Sequence, residues 1–128
     1  MINNKIRSFT DLKTWQEGEK LVVMIYKTMK KFPKSELFGL ISQMRRCAVS
    51  ITSNIAEGFS RNSSKDKLQF YFISRGSVTE LQSQLYVSKD IGYLEERDFQ
   101  DLFSQTVLVN KLVNGLIKSL QKKEKLAA

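Results

Sequence analysis

Residues 35–58 read SELFGLISQMRRCAVSITSNIAEG, and the reading of this stretch decides the fold. Leu37, Leu40, Ile41, Met44, Ala48, Ile51 and Ile55 recur at spacings close to a heptad. At about 100° per residue they share one arc of a helix, roughly 100° wide. The pattern predicts a helix starting near Ser35–Glu36 and ending at Gly58, a residue suited to the position after a last helical turn. Phe38, Val49 and Ala56 lie about 120° from that arc and make a second apolar strip. One bundle core does not use two strips, so the second points to contact with another molecule.

The flanking sequence repeats the helical period. Leu12, Trp15, Val22, Ile25, Tyr26 and Met29 predict a helix over 10–31, with Thr10 as N-cap, Asp11 in the first turn and Pro33 as the stop. After the polar loop Arg61–Ser64, Ser63 and Asp66 form an S-x-x-D capping signal for a third helix over 64–90. That helix carries Leu68, Phe70, Tyr71, Phe72, Ile73, Val78, Leu81, Leu85 and Tyr86. The run Phe70 to Ile73 covers every side of it, so Phe70, Phe72 and Ile73 join Phe38, Val49 and Ala56 as candidate subunit contacts. A turn through Gly92 leads to a fourth helix over 96–121, with Phe99, Leu102, Phe103, Val109, Leu112, Val113, Leu116, Ile117 and Leu120. Long helices joined by short loops pack antiparallel, giving an all-α, up-down-up-down four-helix bundle in one domain of 128 residues.

Composition narrows the chemistry. The chain has no histidine, which excludes His-based triads, His general bases and His metal ligands. Its single cysteine, Cys47, allows no intrachain disulfide and reads as a small packing residue; Trp15 reads as core. No run approaches the ~18 apolar residues of a membrane span, and the start Met1–Arg7 lacks the apolar stretch of a signal peptide. These features predict a cytoplasmic, soluble protein without cofactor or metal.

The formal charge is +8, from 21 Lys+Arg against 13 Asp+Glu. The bundle topology places it. One end gathers Lys5, Arg7, Arg61, Lys65, Lys67, Lys118, Lys122, Lys123 and Lys125 against mainly Asp11, Asp66 and Glu124. At the other end Lys27, Lys30, Lys31 and Lys34 meet Asp90, Glu95, Glu96, Asp98 and Asp101, and the signs balance. An end of one sign suits a polyanion, RNA or DNA, because each phosphate contact releases counterions. Arg45 is a further exposed candidate. Lysines at helix C-termini also serve solubility and the helix dipole, which is the plainer reading.

On the second helix, Gln43, Arg46, Ser50, Asn54 and Glu57 follow at steps of three or four. Two amides, a serine and one charge of each sign differ from the lysine-rich faces elsewhere. They predict a semi-buried polar network, with Glu80 on the third helix as partner for Arg46. The segment Gly76-Ser77-Val78-Thr79-Glu80 has small residues that permit close helix approach. A rival reading pairs Glu57 with Glu80 as catalytic carboxylates, which needs a cleft.

Together, Phe32-Pro33-x-x-Glu36-x-Phe38-Gly39-Leu40, Gln43-Met44-Arg45-Arg46-x-Ala48-x-Ser50-Ile51-x-x-Asn54-Ile55-Ala56-Glu57-Gly58, Gly76-Ser77-x-x-Glu80-Leu81 and Ile91-Gly92-Tyr93 resemble a bacterial four-helix-bundle family. Its members include proteins encoded in intervening sequences of 23S rRNA genes, and the accessory variability determinant of diversity-generating retroelements is related. The resemblance spans nearly the whole chain, most specifically Gln43–Gly58. It implies a ring-shaped homopentamer with a basic surface for nucleic acid and no enzymatic activity. It marks Arg46, Ser50, Asn54, Glu57, Gly58 and Glu80 without assigning their role. Cys47, Thr52 and Arg75 depart from the family pattern; Arg75 either adds to a basic surface or pairs with Glu80. The leading expectation is a nucleic-acid-binding homo-oligomer. The rival is a protein scaffold, with a reverse transcriptase as a candidate partner and no membrane.

Overall fold

The computed structural model describes residues 5–127; Met1–Asn4, part of the segment read for a signal peptide, lie outside the described residues. Four helices carry the chain: α1 (Lys13–Met29), α2 (Leu40–Ser60), α3 (Ser64–Asp90) and α4 (Glu96–Ala127). Single 3-10 turns, Phe9–Asp11 and Lys34–Glu36, precede α1 and α2. Each helix packs on its chain neighbours, and α1 also packs on α4. The cyclic order α1–α2–α3–α4 is that of an all-α bundle, with no strand among the described residues. No described helix is long and apolar enough to cross a membrane.

The core follows the apolar stripes. Leu21, Ile25 and Met29 of α1 meet Met44, Ala48, Ile51 and Ile55 of α2, Val78, Leu81 and Leu85 of α3, and Val109, Val113 and Ile117 of α4. At about 1.5–3 kcal/mol for each fully buried side chain of this kind, this cluster dominates the stability. Leu21, absent from the expected stripe of α1, is fully buried, whereas Tyr26 stands outside the core.

The helix starts differ from expectation, and the reasons are local. Thr10 does not cap α1: the position before the helix is Leu12, which makes no side-chain cap, and Ser8 instead caps the 3-10 turn Phe9–Asp11. Its hydroxyl accepts from Thr10 N, while the Asp11 carboxylate accepts from the backbone of Arg7 (2.9 Å) and Ser8 (3.1 Å). These backbone donors hold the Asp11 carboxyl below its ordinary pKa. Helix α2 begins five residues after Ser35, at Leu40. Glu36 causes this: its Oε1 accepts the Leu40 N–H at 3.2 Å, and its Oε2 accepts the Tyr93 hydroxyl at 3.0 Å. Leu37, expected in the core, is therefore 46 % exposed.

Helix ends close by distinct devices. Gly92, at φ +86°, ends α3 in the left-handed region. Tyr93 N donates to Ser88 O (2.9 Å) and Gly92 N to Lys89 O (3.0 Å), a Schellman closure. Helix α2 continues past Gly58 to Ser60, so Gly58 is not its terminator. Its last carbonyls receive Lys67 Nζ, at 2.6 Å to Phe59 O and 3.4 Å to Gly58 O.

Candidate nucleic-acid interface

Between the first turns of α3 and the last turns of α4 lies an open groove of about 800 Å3. Its floor is Leu68 and Phe72; Lys65, Lys118, Lys122 and Lys125 stand around it, with Glu124 as the acid among its lining residues. Register explains the arrangement. Positions 65, 68, 69 and 72 recur on one side of α3, and 118, 121, 122 and 125 on the facing side of α4. All four lysines are exposed, and among the described residues none has a hydrogen-bonding or ion-pair partner. Unpaired ammonium groups around an apolar floor make an anion-seeking surface.

The other basic candidates are engaged or lie elsewhere. Lys67 is half-buried and donates to the last carbonyls of α2; burial, followed by the charge of Lys123, lowers its pKa. Arg61 pairs with Glu57 at 3.2 Å and lies 4.7 Å over the Phe70 ring. Arg45 is remote from the lysine end: its guanidinium sits 4.7 Å over Tyr26, between α1 and α2, and its Nε is buried without a hydrogen-bond partner. Lys5, Arg7 and Lys123 are exposed at the same end of the bundle but do not line the groove.

The polar stripe of α2 borders α3 and divides into parts. Asn54 Nδ2 donates to Ser50 O (2.8 Å) and Oγ (3.1 Å), and the Ser50 and Ser77 hydroxyls share a hydrogen bond of 2.9 Å. Cys47 Sγ donates to Ser77 O at 3.0 Å, and Ser74 Oγ to Ile51 O at 2.9 Å. These small side chains satisfy one another where α2 and α3 approach closely. Burial, then the charge of Glu80, pushes the Cys47 thiol up to about 12, so it stays protonated at neutral pH. Gln43, Arg46, Glu57 and Glu80 are exposed and lie outside that network. Arg46 and Glu80 flank a pocket of about 130 Å3 over Cys47, Ser50 and Ser77, but no ion pair joins them; Glu80 accepts the Gln84 amide at 3.2 Å. Arg75 turns the other way, donating to Asn114 Oδ1 at 3.1 Å and lying 5.1 Å over Phe72, so it does not pair with Glu80.

The two carboxylates of the catalytic rival are held apart. Ser50 meets Ser77 across the antiparallel α2–α3 seam. Glu57 and Glu80 lie on opposite sides of that crossing, roughly 15 Å apart along the helix axes at 1.5 Å per residue. Paired-carboxylate hydrolysis uses separations of about 5–9.5 Å.

The six candidate subunit contacts do not form one patch. Phe38, 93 % exposed, and Val49 line a groove of about 500 Å3 with Tyr26, Leu37 and Arg45 on the α1–α2 side. Ala56 is half-buried, and Phe70 is half-buried beneath Arg61. Phe72 belongs to the lysine-rimmed groove, and Ile73 is exposed about 100° further around α3. Phe72 reads with its apolar neighbours as a subunit contact because the run Phe70 to Ile73 surrounds the helix; only the α4 register brings Lys118 and Lys122 into the same groove as that ring.

A family model described as 23S rRNA-intervening sequence protein matches residues 10–115. No curated protein matches the chain. Among solved structures, a protein of unknown function from the S23 ribosomal protein family of Bacteroides thetaiotaomicron VPI-5482 is similar. Its TM-score is 0.76 at 21 % identity, over 82 % of this chain and 95 % of that one. That likeness is one of fold.

Proposed function

Because the chain belongs to the 23S rRNA-intervening sequence protein family, we propose that it is a non-enzymatic RNA-binding protein that acts as a cytoplasmic homo-oligomer. The observation that carries this reading is the set of unpaired lysines, Lys65, Lys118, Lys122 and Lys125, around one open groove. Phosphates would sit on these ammonium groups, with Lys5, Arg7 and Lys123 adding to the field of the same end. In a ring, the pentamer that the family resemblance implies, each protomer contributes the same patch, and weak single contacts become multivalent.

A second reading is a protein scaffold, a reverse-transcriptase adaptor among the candidates. Phe38 favours it, since so large an exposed apolar side chain beside Leu37, Tyr26 and Val49 suits a protein contact. The same face would serve self-association.

Titration of structured RNA and of DNA across a salt series, with light scattering on the same sample, tests the first reading. Four phosphate contacts give a log–log salt slope of about −3 on unpaired segments and nearer −4 on duplex, or roughly a 50- to 150-fold loss of affinity between about 50 and 200 mM salt. No binding at the lowest salt overturns the reading.

A further inference from the structure

The groove is more than a charged surface, because its floor is apolar and aromatic. Phe72 is 39 % exposed there, and Leu68 lies one turn before it, packed partly against the core. Arg75 holds one side of the Phe72 ring, anchored in turn by Asn114. Gln69 and Gln121 add amide groups to the lining. We propose that this groove takes unpaired nucleotides, with a base against Phe72 and Leu68 and backbone phosphates on Lys65, Lys118, Lys122 and Lys125. This deepens the RNA-binding reading and rests on it.

Three features favour an unpaired nucleotide over other anions. A duplex offers phosphates on a rigid convex surface with its base faces stacked away, which leaves an apolar floor unused. An acidic amphipathic helix docks through anchors at i, i+3/i+4 and i+7, and so needs a floor of at least two turns. Leu68 and Phe72 span a single turn, about 6 Å of helix axis, which matches one or two stacked bases at about 3.4 Å each. Aromatic floor and cationic rim are the two parts of a single-strand site: stacking serves any base, and the amides of Gln69 and Gln121 can follow different base edges.

The test compares a short single-stranded oligouridine with an RNA duplex of matched phosphate number at fixed low salt, by fluorescence anisotropy. The wild type is expected to bind the single strand more tightly. Phe72→Ala should weaken the single strand roughly 5- to 150-fold, the range of one lost stacking contact, and leave duplex affinity unchanged. Phe72→Trp should retain single-strand affinity and have its added fluorescence quenched by the oligouridine; this guards against a folding defect in the alanine variant. Lys118→Gln with Lys122→Gln should weaken both ligands and flatten the salt slope. If the lysine pair weakens binding while Phe72→Ala leaves oligouridine untouched, RNA binding stands and the nucleotide pocket is overturned. If neither ligand binds at low salt, the RNA-binding reading itself fails.

Discussion

Gly58 sits inside the last turn of α2, where the Tyr71 ring closes over it. A Cβ at this position would stand 2.6 Å from Tyr71 Cε1, 2.9 Å from Cδ1 and 3.1 Å from Phe70 Cβ. Tyr71 is buried, so its ring has nowhere to withdraw. Gly115, in α4, is exposed, and a Cβ there meets nothing within 4 Å. Glycine within a helix costs about 1 kcal/mol relative to alanine, so Gly115→Ala should stabilise the protein by up to about that amount. Gly58→Ala gains the same propensity but forces the Tyr71 ring against the core, and overpacking of this kind costs about 1–3 kcal/mol. The two substitutions should move the urea midpoint in opposite directions; a stabilised Gly58→Ala protein would contradict the packing account. Local pattern could not reveal this role. A glycine at the end of an amphipathic run reads as a terminator, and the residue that requires its smallness lies on the next helix.

Between elements, Glu36 sets where α2 begins and where the α3–α4 turn sits. One carboxylate oxygen caps Leu40 N and the other holds Tyr93, whose ring packs 5.6 Å from Phe32. A Cβ at Gly39 would stand 2.7 Å from Glu36 Oε1, so a larger residue there would shift this carboxylate. Glu36→Ala loses both bonds and should lower stability by about 1 kcal/mol or more from the cap alone, whereas Glu36→Gln, which keeps an oxygen, should lower it less. Thermal unfolding ranks them. The Tyr93 pKa is raised, first by its hydrogen bond to Glu36 and then by burial. A hydroxyl with a raised folded-state pKa contributes stability that is fully present below the unfolded value near 10 and is lost as pH rises through the folded value. Tyr93→Phe should therefore lose less stability between about pH 9 and 11 than the wild type; burial also raises the pKa of Tyr71 and Cys47, and both remain in each protein. The four apolar stripes made the bundle legible, because burial and helical period coincide along them. The start of α2 was not legible: Leu37 fits the heptad, and only a contact to a turn far along the chain shows why the helix waits until Leu40. The lysine end was legible as net charge. Which lysines are free was not, because Lys67 finds its acceptors on the preceding helix.

At the scale of the whole molecule, the cyclic helix order separates two surfaces. The groove with Phe72 and its lysines lies between α3 and α4. The exposed apolar face with Phe38, Leu37, Val49 and Tyr26 lies between α1 and α2, across the bundle. The core stands between them, so a protomer can use one without covering the other. A ring built through the Phe38 face would leave each lysine groove open, while a ring built through the groove would consume it and bring like charges together. The proposed oligomer is therefore expected to assemble through Phe38, with Arg45 and Arg46 at the edge of the same face. Phe38→Ser is the decisive variant: a side chain 93 % exposed contributes little to the protomer core, so the fold should keep its thermal stability apart from any stabilisation by assembly. Light scattering should report a fall to monomer mass. Affinity for a short oligonucleotide, which engages one groove, should stay as in the wild type. Affinity for a long RNA should drop by at least about tenfold through loss of avidity. An oligomer that survives Phe38→Ser would move the contact to another face, and equal losses for short and long RNA would mean that Phe38 itself touches nucleic acid.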